Sequence, residues 1–209
     1  MITVYHLRGS RSDRILWLLE ELGIDYIVES FDRGPDGRAP AAMREIHPLG
    51  KSPMMRDGDL VLVESGAIVD HLVTRHGRGR LAPHHADAAW PRYVFWLHFV
   101  EGSLMAWLVM DLLLSGAIPG VDPGPLGAQL RGELLRTLRW VDDDMAGRDF
   151  AAGEAFSAAD VMLAYALGVA KSRGHLEGTR HLSPYLTRMT SRDAYRRAAL
   201  RGEEEGRAG

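Results

Sequence analysis

Ile2-Thr-Val-Tyr-His-Leu7-Arg-Gly-Ser10-Arg-Ser12-Asp-Arg-Ile-Leu-Trp17-Leu-Leu-Glu-Glu-Leu-Gly23-Ile-Asp-Tyr26-Ile-Val-Glu-Ser-Phe31 changes hydrophobic period twice, and those changes decide the fold. In Ile2 to Leu7, the residues Ile2, Val4 and His6 alternate with Thr3, Tyr5 and Leu7, the period of two of a strand. Ile15, Leu16, Leu18, Leu19 and Leu22 then share one face of a helix that starts at Ser10 or Ser12 and stops at Gly23, a residue suited to the left-handed position after a helix. Tyr26 to Phe31 is a second strand. The helix is therefore a crossover, and it brings the two strands side by side in parallel.

Working outward, Gly34 to Pro40 is rich in Gly, Pro and Asp and reads as loop, followed by a short helical turn at Ala41 to Ile46. Beyond His47-Pro-Leu-Gly-Lys51-Ser52-Pro53, the stretches Met54 to Arg56 and Leu60 to Val63 flank Asp57-Gly58-Asp59, the signature of an antiparallel hairpin. Ser65 is expected to cap a helix running to about His76. After residue 85 no strand alternation remains and every element is expected to be helical. Leu126, Leu130, Leu134, Leu138, Val141 and Met145 form a helical stripe. Phe156-Ser157-Ala-Ala-Asp160-Val161 carries a capping box with its hydrophobic staple. The organisation expected is an N-terminal βαβαββα domain over 1–79, a linker over 80–87 and an all-helical domain over 88–209, with 201–209 a frayed polar tail.

Composition excludes several classes. With 46% hydrophobic and 25% charged residues the chain is an ordinary globular one. The net charge is −3, and Lys plus Arg against Asp plus Glu runs 10 to 12 up to residue 79 and 15 to 16 after it, so neither half offers a basic surface for nucleic acid. Cysteine is absent, which leaves no disulfide, no thiolate metal site and no protein thiol, so any thiol chemistry must borrow its thiol. The N-terminal apolar run, Ile15 to Leu19, is too short for a signal-peptide core, and a cytoplasmic chain is expected. Within the apolar stretch Val94 to Leu114 the longest unbroken run is Leu104 to Met110, short of the ~18 residues of a membrane span; a long buried helix is expected and no membrane partner.

Few residues offer chemistry. Ser10 and Ser12 sit where the first strand hands over to the first helix, where backbone N–H groups and the helix dipole favour an anion; either could equally be a plain N-cap. Glu64-Ser65 repeats this arrangement at a second helix start, with Glu64 able to meet a ligand ammonium. Two such sites suit a small anionic ligand along the sheet. Ser52-Pro53 is a candidate cis peptide, with a simple turn as the alternative. Lys51 is one of only two lysines. His84-His85-Ala-Asp87 and Asp142 to Asp144 could hold a metal, but linker and helix-end side chains are usually solvated, so no metal is expected. Trp96, Phe99, Met105, Trp107 and Met110 could line an apolar pocket or belong to the core.

Taken in order, Ser10-Arg-Ser-Asp-Arg-Ile-Leu-Trp17, His47-Pro-Leu-Gly-Lys-Ser-Pro53, Glu64-Ser65-Gly-Ala-Ile, Trp96-Leu-His-Phe-Val-Glu-Gly-Ser-Leu-Met105 and Phe156-Ser-Ala-Ala-Asp160 resemble the serine-type glutathione S-transferases of bacteria and fungi. The resemblance spans nearly the whole chain. It implies a thioredoxin-like N-terminal domain, an all-helical C-terminal domain, a homodimer, and glutathione as co-substrate without metal. By the same resemblance Ser65 and its N–H take the γ-glutamyl carboxylate, Glu64 assists at the ammonium, and Ser52 before cis Pro53 pairs with the cysteinyl part. Lys51 and His47 face the glycyl carboxylate. The thiolate-activating hydroxyl falls on Ser10, with Ser12 as the alternative, and Phe99, Met105 and Trp107 contribute to the pocket for a small hydrophobic electrophile. Tyr5 lies one position off the register of tyrosine-type members, and Ser-Arg-Asp-Ala-Tyr195 stands where the family often has Arg-Pro. The implied activity is glutathione conjugation, with peroxide reduction a second use of the same thiol. A non-catalytic ligand-binding or dimerisation module is the competing expectation.

Overall fold

The computed structural model describes residues 1–114 and 124–204. The elements are β1 (Ile2–Leu7), α1 (Asp13–Leu22), β2 (Tyr26–Phe31), α2 (Ala42–Ile46), β3 (Met54–Asp57), β4 (Leu60–Val63) and α3 (Ser65–Arg75), then α4 (Trp90–Phe99), a π-helical turn (Val100–Leu104), α5 (Met105–Leu112), α6 (Gly124–Asp144), α7 (Ala158–Ser172), α8 (Leu182–Thr190) and α9 (Asp193–Glu204). They form two compact units, one of Met1–Pro83 with the chain from Thr190 onward, the other His84–Met189.

In the first unit the sheet order is β2-β1-β3-β4. β1 pairs with β2 in parallel, Ile2 opposite Tyr26, and with β3 antiparallel, Tyr5 opposite Met54. β4 returns antiparallel along β3, Met54 opposite Val63. This is the thioredoxin-like arrangement. The alternation in β1 sends Tyr5 and Leu7 to one face, where they pack with Met43 of α2 and Met54. Ile15, Leu18 and Leu19 of α1 and Ile68, Val69 and Leu72 of α3 are fully buried. Gly23 ends α1 at φ +63, where a side chain would meet the steric penalty that glycine escapes.

The last helix departs from the expected domain division. α9 packs on α1 in the first unit instead of joining the helical one. The cause is a set of cross-links: Arg192 donates from Nε to Glu21 at 2.6 Å, Arg197 to Glu20 at 2.7 Å, and the rings of Trp17 and Tyr195 meet edge to face at 5.1 Å. The helix continues through Glu204, so the tail expected to fray from Arg201 is helical to that point, and 205–209 lie outside the described residues.

Among the described residues the regular elements of the second unit are all helical. α7 is apolar almost all round, with Val161, Met162, Leu163, Ala166 and Leu167 fully buried. Its capping box forms as expected: Asp160 accepts from the Ser157 N–H at 2.8 Å, and also from the Ala151 N–H at 2.7 Å and the Tyr185 hydroxyl at 2.8 Å. Of the α6 stripe, Leu134, Leu138, Val141 and Met145 are buried while Leu126 is exposed.

The stretch Trp90–Leu112 corrects the membrane estimate. Counted through its π turn it is 23 residues long and apolar enough for a span, because interrupting polar residues shorten a run without lowering the average much. About 39% of its most apolar window is buried, and Asp111 within it lies buried among cations. Arg131 and Arg173 donate to Asp111 from Nε at 3.0 and 2.7 Å, and His175 Nε2 lies 2.8 Å away. Burial alone would raise this carboxyl, but the hydrogen bonds from His175, Arg173 and Arg131 outweigh it and hold the pKa at about 2. A depressed carboxyl gives stability that is present above its unfolded pKa of ~3.9 and lost as pH falls through the folded value. Asp111→Ala should cost about 3 kcal/mol at neutral pH, since it strands partly buried cations. Denaturant unfolding should show that gap at neutral pH and see it shrink between about pH 4 and about pH 2.

Candidate active site

Strand direction alone assembles this site. β1 runs toward its C-terminal end, β3 runs back from there, and β4 returns to it. The β1–α1 loop, the start of β3 and the β4–α3 junction thus meet at one end of the sheet. They carry Ser10 and Ser12, Ser52-Pro53, and Glu64-Ser65 respectively.

The hydroxyls of the β1–α1 loop and the β3 start form a chain. Ser10 Oγ lies 2.7 Å from Ser52 Oγ and 3.0 Å from Ser12 Oγ, and Ser12 Oγ lies 2.8 Å from His6 Nδ1. The Ser12 N–H donates to Ser10 Oγ at 3.3 Å, and Ser12 Oγ reaches the Leu7 carbonyl at 3.3 Å. Ser10 and Ser12 are both buried. Ser12 occupies the N-cap position of α1, yet its side chain makes no capping bond, whereas Ser10 Oγ accepts the N–H two residues on as a capping hydroxyl does. The plain-cap reading therefore fails for Ser12, while Ser10 combines a bond to the helix start with hydrogen bonds to the Ser12 and Ser52 hydroxyls.

Ser65 also departs from its expected part. It is the first helical residue of α3 and not the cap, a position taken by Glu64. Its side-chain oxygen is buried and has no hydrogen-bond partner, which costs about 1–3 kcal/mol if nothing else fills it. Glu64 is exposed and holds φ at +74, a left-handed conformation that a residue with a Cβ adopts only at a cost of about 1–3 kcal/mol. The hydroxyl of Ser65 is thus left with its hydrogen-bonding capacity unused beside a strained carboxylate residue.

The Ser52-Pro53 bond is cis, and Pro53 is buried. Lys51 beside it is exposed. His47 is half-buried in the turn after α2, where its Nδ1 accepts the Leu49 N–H at 3.3 Å. The Tyr5 hydroxyl accepts from Arg56 Nε at 2.9 Å, on the face opposite His6. In the helical unit Met105 is buried, Trp107 is half-buried, and half-buried Phe99 joins an aromatic cluster, stacked on Phe95 at 5.1 Å and 5.2 Å from Trp140. Of the residues considered for a metal, Asp87 accepts the His84 N–H at 2.8 Å, Asp142 accepts the N–H groups of Arg180, His181 and Leu182, and Asp144 pairs with Arg92.

His6 is the residue that sequence reading passed over. It takes a core position in β1 on the face of Val4, and a histidine on a buried strand face was the available signal. Its ring lies between the serine chain and a cavity of about 250 Å³ bordered by Trp17, Tyr195 and Gly202. Burial, with Arg8 adding repulsion, lowers its pKa to about 4, so the ring is neutral at neutral pH. Between pH ~6.5 and ~4 the unfolded chain binds a proton here that the folded chain refuses, and stability therefore rises with pH across that window. His6→Asn, which keeps a polar atom near Nδ1, should lose less stability than the wild type between about pH 7 and about pH 4.5, read by denaturant unfolding.

Comparison with known proteins gives the family. Residues 1–74 match the family model for the glutathione S-transferase N-terminal domain, and 124–199 that for the C-terminal domain. Glutathione S-transferase 3 of Schizosaccharomyces pombe is 33% identical over 98% of this chain and 89% of its own length. Glutathione S-transferase 1 of Saccharomyces cerevisiae is 28% identical over 93% and 92%. A crystal structure of a glutathione S-transferase from Actinobacillus pleuropneumoniae superposes with a TM-score of 0.86 at 31% identity, covering 97% of this chain and 93% of that one. The chain belongs to the glutathione S-transferase family, a family of enzymes.

Proposed function

We propose that this enzyme activates the thiol of glutathione at Ser10 and transfers it to small hydrophobic electrophiles in the cytosol, the compartment whose glutathione is kept reduced. The observation that carries the reading is the His6–Ser12–Ser10–Ser52 chain, whose hydroxyls meet one another at the α1 N-terminus. A thiol of pKa ~8.5 is only about 3% ionised at neutral pH, and lowering it by ~2 units requires ~2.7 kcal/mol of preference for the thiolate. A hydroxyl donating to a charged sulfur contributes ~1.5–3 kcal/mol, and the helix N-terminus ~0.3–1 kcal/mol more. Together these suffice without a protein base.

Ser10 has one proton, so it can donate to sulfur only if its neighbours donate to it. With the proton of the neutral His6 ring on Nδ1, His6 donates to Ser12, Ser12 shares its hydrogen between Ser10 and the Leu7 carbonyl, Ser52 donates to Ser10, and Ser10 donates outward to the thiolate. The Ser12 N–H supports the same polarity. Ser10 is thus a donor that forms no bond to substrate. The γ-glutamyl carboxylate goes to the orphaned Ser65 hydroxyl at the α3 N-terminus, Glu64 faces the ammonium, Ser52 and Pro53 face the cysteinyl part, and Lys51 with His47 faces the glycyl carboxylate. Phe99 and Trp107 offer apolar surface suited to the electrophile. Peroxides are a second class of acceptor for the same thiolate.

Ser10→Ala should return the pKa of bound glutathione, read by thiolate ultraviolet absorbance, to near its free value and lower kcat/KM by ~10–100-fold, the equivalent of one charged hydrogen bond. Ser12→Ala should produce a smaller shift, and an equal or larger one would move the activating role to Ser12. Ser65→Ala should raise KM for glutathione with kcat little changed. Bound glutathione with an unshifted thiol in the wild type would mean a binding module and not a catalyst.

The proposal includes a homodimer. Phe95 and Trp140 are about two-fifths exposed (40% and 44%) with ring centroids 5.7 Å apart, an aromatic surface of the kind that interfaces bury. Trp140→Asp should shift the sedimentation coefficient from dimer to monomer.

A further inference from the structure

The far end of the sheet carries a second cluster unconnected with the serine chain. Asp57 ends β3 opposite Ile2, the first residue of β1, whereas the serines lie beyond the last. α3 starts at the serine end with Ser65 and runs about 16 Å, at ~1.5 Å per residue, toward the opposite one. His71 is on its last turns and His76 immediately follows it. His71 Nε2 lies 2.8 Å and His76 Nε2 2.7 Å from Asp57 Oδ2. Both imidazoles converge on the same oxygen instead of dividing between the two that a carboxylate offers. All three potential ligand atoms lie within 4.8 Å of one another, and the three residues are half-buried.

We infer that Asp57, His71 and His76 form a binding site for a first-row divalent cation, with zinc(II) as the ion the donor set suits. Two neutral imidazoles and one carboxylate are donors of the type zinc takes, at ~2.0–2.2 Å. Three such ligands on a tetrahedral ion stand about 3.3 Å apart, so small rotations of the three side chains, widening each present contact by about half an ångström, admit the ion. The net charge of the donor set is −1, and partial exposure leaves a fourth position for water. Without the ion, the same three groups would be a hydrogen-bonded clasp between the hairpin and the end of α3. The ion replaces the two shared hydrogens with bonds to a common centre, and it ties the β3–β4 turn to α3 more firmly. Among the described residues no other group of three such side chains converges in this way. The site is independent of the glutathione reading, since none of its residues belongs to that machinery.

The test uses the full untagged chain, stripped with chelator and titrated with cobalt(II) and then zinc(II). One cobalt per chain should bind with the visible absorption of a tetrahedral or five-coordinate N/O site, zinc should displace it, and zinc should raise the Tm of the wild type. His71→Gln with His76→Gln should weaken binding by more than the ~10–100-fold that even outer-sphere changes cost, and His84→Gln with His85→Gln should leave it unchanged. Asp57→Asn, nearly the same shape and still able to accept from both histidines, serves if the double variant fails to fold, and it too should lose the cobalt spectrum. Conjugating activity should be the same with and without zinc. Absence of stoichiometric cobalt or zinc binding to the wild type, or binding that survives both Asp57→Asn and the histidine pair, would overturn the site and leave a hydrogen-bonded clasp alone.

Discussion

The antiparallel pairing of β3 on β1, with Tyr5 opposite Met54, governs most of what this protein can do. Because β3 runs against β1, its first residues stand beside the last of β1, and Ser52 reaches Ser10 across 42 residues of sequence. Because β4 runs against β3, the start of α3 returns to the same end. A slip of one residue in that register would turn each side chain of β3 to the other face of the sheet. Met54 and Met55 are both fully buried, one toward each face, so the pairing is held from both sides.

From this frame the proposed chemistry follows by economy of protons. A hydroxyl chain ending in a neutral, buried imidazole has few free hydrogens, and the proposal sends that of Ser10 outward to the thiolate. That is a different device from a general base. In the proposed mechanism the loop needs no charged group, and the anion would be met by hydroxyl and backbone donors at helix N-termini, where the field of α1 favours it. His6 can remain neutral because it is sealed on one side by the sheet and on another by α9, whose Gly202 leaves room for the ring: a Cβ there would stand 3.2 Å from Nε2.

The helical unit is held by carboxylates doing the work of caps and hubs. Asp160 joins the start of α7 to Ala151 and Tyr185, Asp142 collects three consecutive backbone N–H groups ahead of α8, and Asp111 gathers two arginines and a histidine. Each replaces water at a group that folding has buried. The capping box of α7 was legible because both partners lie within four residues. The Asp111 hub was not, since its partners stand 20, 62 and 64 residues away.

The same distinction separates the two levels of description for the whole chain. The sequence by itself determined the strands, the crossover helix, the hairpin and the family, because hydrophobic period, glycine stops and local motifs act over a few residues. It also pointed to Ser10, Ser52, Pro53, Glu64 and Ser65, though with Ser65 as a cap and Ser10 or Ser12 open to the same reading. Only the tertiary structure decided that the hydroxyls of Ser10, Ser12 and Ser52 bond to one another, that the Ser65 hydroxyl is left without a partner, that His6 completes the serine chain, and that α9 belongs with the sheet. Those outcomes depend on which groups are brought together through space and deprived of water, and no local pattern encodes that.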